Sequence, residues 1–277
     1  MAQVWLVTGS SRGLGRAIVE AGLAAGNKVM ATARSIESLR DLPDRYGSQV
    51  KLFALDVTDE SAANRAVQTA IDTFGSLDVV INNAGYGNLS SIEETPLSDF
   101  RAQIETNLFG TIIVTKAVLP YFRERKRGQF IQFSSVGGRI GPPGRGPYSA
   151  AKWGVEGFSE VLSRETAPLG IKVTIVEPGG FRTDLAGSST KLREGHPEYD
   201  STVGATARFQ RDYNGKQPGD PKKAAQVIIQ LTKEDKPPLR LLLGSDAYNG
   251  AEKNDLARLE EARKWKELSL STDFGTR

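Results

Sequence analysis

Short runs rich in Val, Ile and Leu recur along this chain, each separated from the next by a longer segment with apolar residues at helical spacing. That alternation restricts the fold more than any single motif. Residues 4–8, 28–33, 50–55, 77–81, 130–133, 172–176 and 239–243 read as strands. Residues 13–25 read as a helix with Leu14, Ala17, Ile18, Ala21 and Ala25 on one side, and 36–45, 60–74, 100–125, 148–168 and 222–231 as further helices. Strands that are apolar along nearly their whole length must be covered on both faces. The pattern therefore implies an α/β fold, a doubly wound parallel sheet with ligands at the carboxyl ends of its strands. With 277 residues, no internal repeat and no low-complexity linker, residues 1–277 are read as a single domain.

Two regions break the rhythm. Residues 183–221 are polar and long for a connection, and hold Gly187, Ser188, Ser189, Gly195, His196 and Gly215. A long irregular insertion of this kind serves as a substrate lid or binding loop, or stays a disordered surface insertion. Residues 246–268 form a strongly charged C-terminal helix with Leu256, Leu259 and Trp265 as apolar positions, docked on the domain or on a second subunit.

Composition removes several kinds of chemistry. There is no Cys, hence no disulfide, thiolate nucleophile or Cys-based zinc site, and a single His, His196, so no metal centre is expected. The net charge of +3 comes from 36 basic and 33 acidic residues that are scattered, and the run Arg123-Glu124-Arg125-Lys126-Arg127 closes a helix, where cations suit the dipole. No nucleic-acid partner is expected. No apolar run approaches the roughly 18 residues of a membrane span, and Met1-Ala2-Gln3 leads into the first strand without a charged leader. The chain is expected to be cytoplasmic and free of the membrane.

Thr8-Gly9-Ser10-Ser11-Arg12-Gly13-Leu14-Gly15 lies between the first strand and the first helix. Gly9, Gly13 and Gly15 permit a tight turn and let backbone N–H groups approach a pyrophosphate at the helix N-terminus, although a glycine turn without a ligand has the same pattern. Adenine dinucleotide sites without a 2′-phosphate usually place Asp or Glu about 20 residues further on, to bond the ribose 2′-hydroxyl. Here that stretch reads Ala31-Thr32-Ala33-Arg34, with no acid. Arg34 and Arg12 together suit a 2′-phosphate through forked, charge-assisted hydrogen bonds, so NADP(H) is expected over NAD(H). The alternative for Arg34 is a solvated residue at a strand end.

Further along come Asp56-Val57, Asn82-Asn83-Ala84-Gly85, Asn107, Ser134-Ser135, Tyr148-Ser149-Ala150-Ala151-Lys152, and Pro178-Gly179 with Thr183. In this order, and after the glycine turn, the set resembles the short-chain dehydrogenase/reductase family, strongly over residues 3–185 and loosely beyond. The resemblance implies a Rossmann-type fold and a nicotinamide cofactor. It implies that Asp56 bonds the adenine amino group and Val57 gives a backbone contact, that Asn83, Ala84 and Gly85 line the ribose, and that Pro178, Gly179, Phe181 and Thr183 lie beneath the nicotinamide. Phe181 stands where relatives more often carry Val or Ile. Ser11 and Leu14 belong to the phosphate turn.

Tyr148 and Lys152 lie one helical turn apart, and a cation beside a phenol lowers its pKa from about 10 toward neutrality. The resemblance makes Tyr148 the general acid/base and Lys152 both its activator and a ribose ligand. Ser135 orients the substrate oxygen, Ser134 is structural, and Asn107 holds a water in a proton relay. The expected activity is NADPH-dependent hydride transfer to or from a carbonyl or alcohol. The alternatives are an NADP(H)-binding sensor without the chemistry and a nucleotide-sugar epimerase or dehydratase. The substrate pocket is expected between residues 86–89, 136–138, 145–148, Phe181 and the insertion, and relatives pair into homodimers or homotetramers through the helices at 100–125 and 148–168.

Overall fold

The computed structural model describes residues 2–183 and 190–275. Seven strands make one wholly parallel sheet: β1 Val4–Val7, β2 Lys28–Ala33, β3 Val50–Ala54, β4 Val79–Asn82, β5 Gly128–Phe133, β6 Ile171–Pro178 and β7 Arg240–Leu243. Their spatial order is β3-β2-β1-β4-β5-β6-β7. The order reverses between β1 and β4, so a crevice opens at the carboxyl ends of those two strands.

The strand alternation sorts the core into two layers. In β1, Trp5 and Val7 face one side and Val4 and Leu6 the other, all fully or almost fully buried. On the Trp5 side lie α1 (Gly13–Ala24) and α8 (Pro221–Leu231), which pack on each other through Ile18, Val19, Leu23, Ala225 and Ile228. On the Leu6 side lie α3 (Glu60–Phe74), α5 (Gly110–Arg125) and α6 (Gly146–Thr166), with Ala66, Val114, Phe122 and Leu162 in the core. The caps follow from the sequence: Asp59 accepts from the Ala62 N–H at 2.9 Å, Asp220 from the Lys222 N–H at 2.8 Å with Pro221 opening α8, and Gly75 ends α3 at φ +82°.

The structure departs from the sequence expectation in four places. Residues 36–45 are not one helix. A 3₁₀ turn at Glu37–Leu39 precedes α2 (Asp41–Tyr46), because Pro43 has no N–H to continue a helix from upstream and is tolerated only in a first turn. The helix expected at 100–125 starts earlier, as α4 (Leu97–Ile104) behind Pro96, and takes a π turn at Glu105–Phe109 before α5. Within the insertion the described residues are more regular than their polarity suggested. A 3₁₀ turn at Pro197–Tyr199 and a π turn at Asp200–Gly204 lead into α7 (Ala205–Tyr213), anchored by Val203 and Ala207 against Leu89. Gly187, Ser188 and Ser189 lie outside the described residues. The C-terminal helix is α9 (Ser245–Lys264) followed, after a break at Trp265, by α10 (Lys266–Leu270). No described helix is long and apolar enough to cross a membrane.

Candidate active site

Two adjoining cavities occupy the crevice. The first, about 240 Å³, is polar and is lined by Gly9, Ser11, Arg12, Gly13 and Leu14 on one side and by Arg34, Asp56, Val57 and Ala84 on the other. Its floor is the turn after β1. Gly9 has φ +67°, and a Cβ there would stand 2.7 Å from the Ala84 Cα, so only glycine fits. Asn83 fixes that turn by donating from Nδ2 to the carbonyls of Thr8 and Gly9 at 3.0 and 3.1 Å. Gly15 does not line the cavity. It lets the first turn of α1 press on the Gly9 carbonyl, 2.3 Å from where a Cβ would be.

Arg12 is the N-cap of α1, yet its side chain caps nothing and the first turn carries no acid. Among the described residues, nothing in that first turn offsets the positive end of α1 where it meets the cavity, a fit for a phosphate. Arg12 and Arg34 are both exposed on the wall, and neither forms an ion pair with a described residue. Asp56 turns Oδ1 onto Thr58, accepting from its N–H at 3.0 Å and its hydroxyl at 2.8 Å, which also organises the turn before α3. Val57 is buried against α5, where a Cβ on Gly110 would meet its Cγ2 at 2.4 Å. The two exposed guanidiniums and the uncapped helix end fit the phosphates of a dinucleotide.

The second cavity is larger, about 320 Å³, and mainly apolar. Leu14, Asn83, Gly85 and Thr183 line both cavities and form their junction. At its polar end stand Ser135, Tyr148 and Lys152. Ser135 follows β5. Its Oγ accepts from the Gly137 N–H at 3.1 Å and lies 3.4 Å from the Pro178 carbonyl oxygen. Tyr148 is in the first turn of α6, its ring between Gly87 and Gly137, where added Cβ atoms would come within 2.7 and 3.3 Å of it. Lys152, one turn on, is 4% exposed. Its Nζ donates to the Phe133 carbonyl at 2.7 Å and lies 5.8 Å from the Tyr148 ring centre.

Burial pulls the Lys152 ammonium down from 10.5 to about 8, opposed by the charge of Glu156. For Tyr148 the direction is opposite to the sequence expectation. Burial pushes the phenol up, and the Ser135 hydrogen bond and the Arg145 charge only partly pull it down. Lys152 stands one turn on, its ammonium 5.8 Å from the ring centre and donating to the Phe133 carbonyl.

Asn107 sits in the π turn, fully buried. Its side chain accepts from the Tyr86 N–H at 2.9 Å and donates to the Tyr86 carbonyl at 2.8 Å. A Cβ on Gly85 would lie 2.6 Å from its Oδ1 and 3.5 Å from the Lys152 Nζ, so Asn107 and Lys152 face the same side of Gly85. Ser134 makes a long contact of 3.4 Å to the Lys152 carbonyl. Pro178, Gly179, Phe181 and Thr183 all line the apolar cavity. Of the expected pocket boundary, Leu89 is instead fully buried under α7, and Tyr86 lines the polar cavity.

Some site residues escaped the sequence reading. Asp246, in the first turn of α9, accepts from the Gly180 N–H at 2.7 Å and braces the Gly179-Gly180 turn from below. An acid two residues after Gly244 at a strand end was a signal for a helix start that could have found it. Phe209 and Tyr213 of α7, stacked at 5.0 Å, form the far wall. Their four-residue spacing was the available clue.

A family profile described as short chain dehydrogenase matches residues 3–194. The oxidoreductase BOA17 of Botryotinia fuckeliana is 48% identical over 273 residues, covering 98% of this chain and 100% of that protein. The crystal structure of a short-chain dehydrogenase from Streptomyces avermitilis superposes with a TM-score of 0.91 at 41% identity, over 99% of this chain and 100% of that one. An alcohol dehydrogenase from Thermococcus sibiricus, complexed with 5-hydroxy-NADP, superposes with a TM-score of 0.71 at 26% identity, over 88% of this chain and 96% of that one.

Proposed function

Because the chain belongs to the short-chain dehydrogenase family, and so is an oxidoreductase on a Rossmann-type parallel sheet, we propose that it uses NADPH to reduce a ketone or aldehyde to an alcohol, with Tyr148 as the general acid. The observation that carries this reading is the junction of the two cavities. A dinucleotide lying in the polar cleft reaches the apolar pocket at Leu14, Asn83, Gly85 and Thr183, beside Ser135, Tyr148 and Lys152. NADPH supplies the hydride when bound.

Gly9, Ser11, Gly13 and Leu14 cradle the phosphates, and Arg12 and Arg34 take the 2′-phosphate through charge-assisted hydrogen bonds. Asp56 and Val57 border the adenine, Asn83, Ala84 and Gly85 the ribose, and Pro178, Gly179, Phe181 and Thr183 the nicotinamide. Ser135 and Tyr148 hold the carbonyl oxygen, which gains negative charge as its carbon is reduced. Tyr148 gives that oxygen its proton, and Lys152 stabilises the phenolate left behind. A phenol that burial holds protonated is suited to the acid role in this direction. Asn107 holds Tyr86 and the proton path to Lys152. The described part of the insertion, with α7 as its wall, covers the substrate and excludes water.

The test is the initial rate of NADPH oxidation over a panel of aldehydes, ketones, quinones and ketoacyl esters, with NADPH deuterated at the transferred position. The reading expects deuterium on the carbinol carbon of at least one product. NADPH binding with no transfer to any of these classes would count against it.

A further inference from the structure

Among the described residues no carboxylate lines the apolar cavity, yet two cations do. Lys152 is taken up by the Phe133 carbonyl. Arg145 is mostly out of solvent, at the wall between Gly87 and α7, and has only neutral partners. Its Nη1 donates to the Gly87 carbonyl at 3.2 Å and its Nη2 to the Gln210 side-chain oxygen. A guanidinium has five N–H donors, and these partners leave several of them unused. Arg145 is also the N-cap of the 21-residue helix α6, so a cation sits at the positive end of a helix dipole and caps nothing. Burial already pulls its guanidinium below the ordinary arginine value, with only Tyr148 to raise it.

A partly desolvated cation at a positive helix end, without a counter-charge among the described residues, is costly unless something anionic meets it in the functional state. The surface it shares with the reacting centre is defined. A Cβ on Gly87 would come within 3.3 Å of the Arg145 Nη1 and 2.7 Å of the Tyr148 Cδ2, so both side chains border the same glycine. The rest of the wall, including Pro142, Val136, Phe181 and Phe209, is apolar.

We propose that Arg145 is the specificity determinant of this pocket and that the substrate is an oxo acid, a carbonyl compound with an apolar body and a carboxylate a few bonds from the reacting carbon. This rests on the reductase reading above. The carboxylate accepts from the unused N–H groups of Arg145 while the ketone oxygen lies against Ser135 and Tyr148. The carbonyl carbon receives the hydride from NADPH, Tyr148 gives the oxygen a proton, and the products are the hydroxy carboxylate and NADP⁺. The carboxylate is unchanged.

The test compares C8 oxo acids, with the ketone at position 2, 3 or 4, against their methyl esters. Wild-type enzyme is expected to favour at least one acid over its ester by about tenfold or more in kcat/KM, the scale of one hydrogen-bonded ion pair. Arg145→Met is expected to bring that ratio close to one, whatever happens to the absolute rates, and Arg145→Lys to restore part of it. Equal or better turnover of every ester by the wild type overturns the proposal, as does an acid preference that survives Arg145→Met. A second readout needs no turnover. Tyr148→Phe loaded with NADPH is expected to gain thermal stability from the preferred acid and not from its ester, and equal shifts overturn the proposal. If no compound is reduced but the acid still stabilises selectively through Arg145, the reductase reading fails and the carboxylate site stands.

Discussion

Gly87 offers a sharp perturbation of the reacting centre, because it touches Tyr148 without supplying any chemistry itself. Its backbone needs no left-handed conformation, so alanine meets no torsional penalty there. The added methyl, however, would stand 2.7 Å from the Tyr148 Cδ2 and 3.0 Å from its Cγ. Carbon atoms rest about 3.5–4.0 Å apart, so the base of the ring must recede by about 1 Å. Gly137 closes the other side, with its own Cβ position 3.3 Å from the Tyr148 Cε1. Such a displacement of a catalytic group costs on the order of 10²-fold in rate. The overpacking itself should cost about 1–3 kcal/mol of stability, less than a domain's usual reserve of about 5–15 kcal/mol. Gly87→Ala is therefore expected to remain folded by circular dichroism and to lose about 10²-fold in kcat/KM. Gly137→Ala, which needs the ring to yield by only a few tenths of an ångström, should lose less than about tenfold. A folded Gly87→Ala enzyme with wild-type kcat/KM would refute the assignment of Tyr148 to the reacting centre.

Arg34→Glu replaces a cation of the polar cleft with a carboxylate repelling a 2′-phosphate, and the NADPH-over-NADH preference in Kd should fall by about 10–100-fold. An unchanged preference would remove Arg34 from the cofactor site. Lys152→Met should abolish turnover without destabilising the fold at pH 7, since it removes a buried cation. The folded pKa of Lys152 is depressed to about 8 from 10.5, so the penalty is fully present below pH 8 and is relieved as pH rises through 8 to 10.5. Denaturant titrations should show the variant gaining on the order of 3 kcal/mol at pH 7, with the gain shrinking across that window. A variant less stable than wild type at pH 7 would contradict the burial account.

The legible part of this protein was whatever local sequence dictates. All seven strands were readable from apolar runs, and the glycine turn from Gly9, Gly13 and Gly15, since no other residue can bring the backbone of α1 onto β1 and β4 that closely. The π turn at Asn107 was not, because its extra residue is fixed by the two bonds to Tyr86, a tertiary contact. Asp246 escaped for the same reason: its partner, the Gly180 N–H, is 66 residues away in sequence. The spacing of Tyr148 to Lys152 shows that a cation is near the phenol. It does not reveal that the Phe133 carbonyl holds the ammonium or how deeply the phenol is buried. Polar composition in the insertion likewise hid α7, whose buried residues Ala207 and Gln210 lie three apart on one face.

The central claim, that Tyr148 delivers the proton at the meeting point of the two cavities, is tested most directly by a single-turnover measurement on Tyr148→Phe. The variant is loaded with NADPH and mixed with a substrate the wild type reduces. The account predicts unchanged NADPH affinity, an unchanged fold and a rate of nicotinamide oxidation lower by about 10²–10⁴-fold, the usual worth of a general acid. Oxidation at the wild-type rate would contradict it.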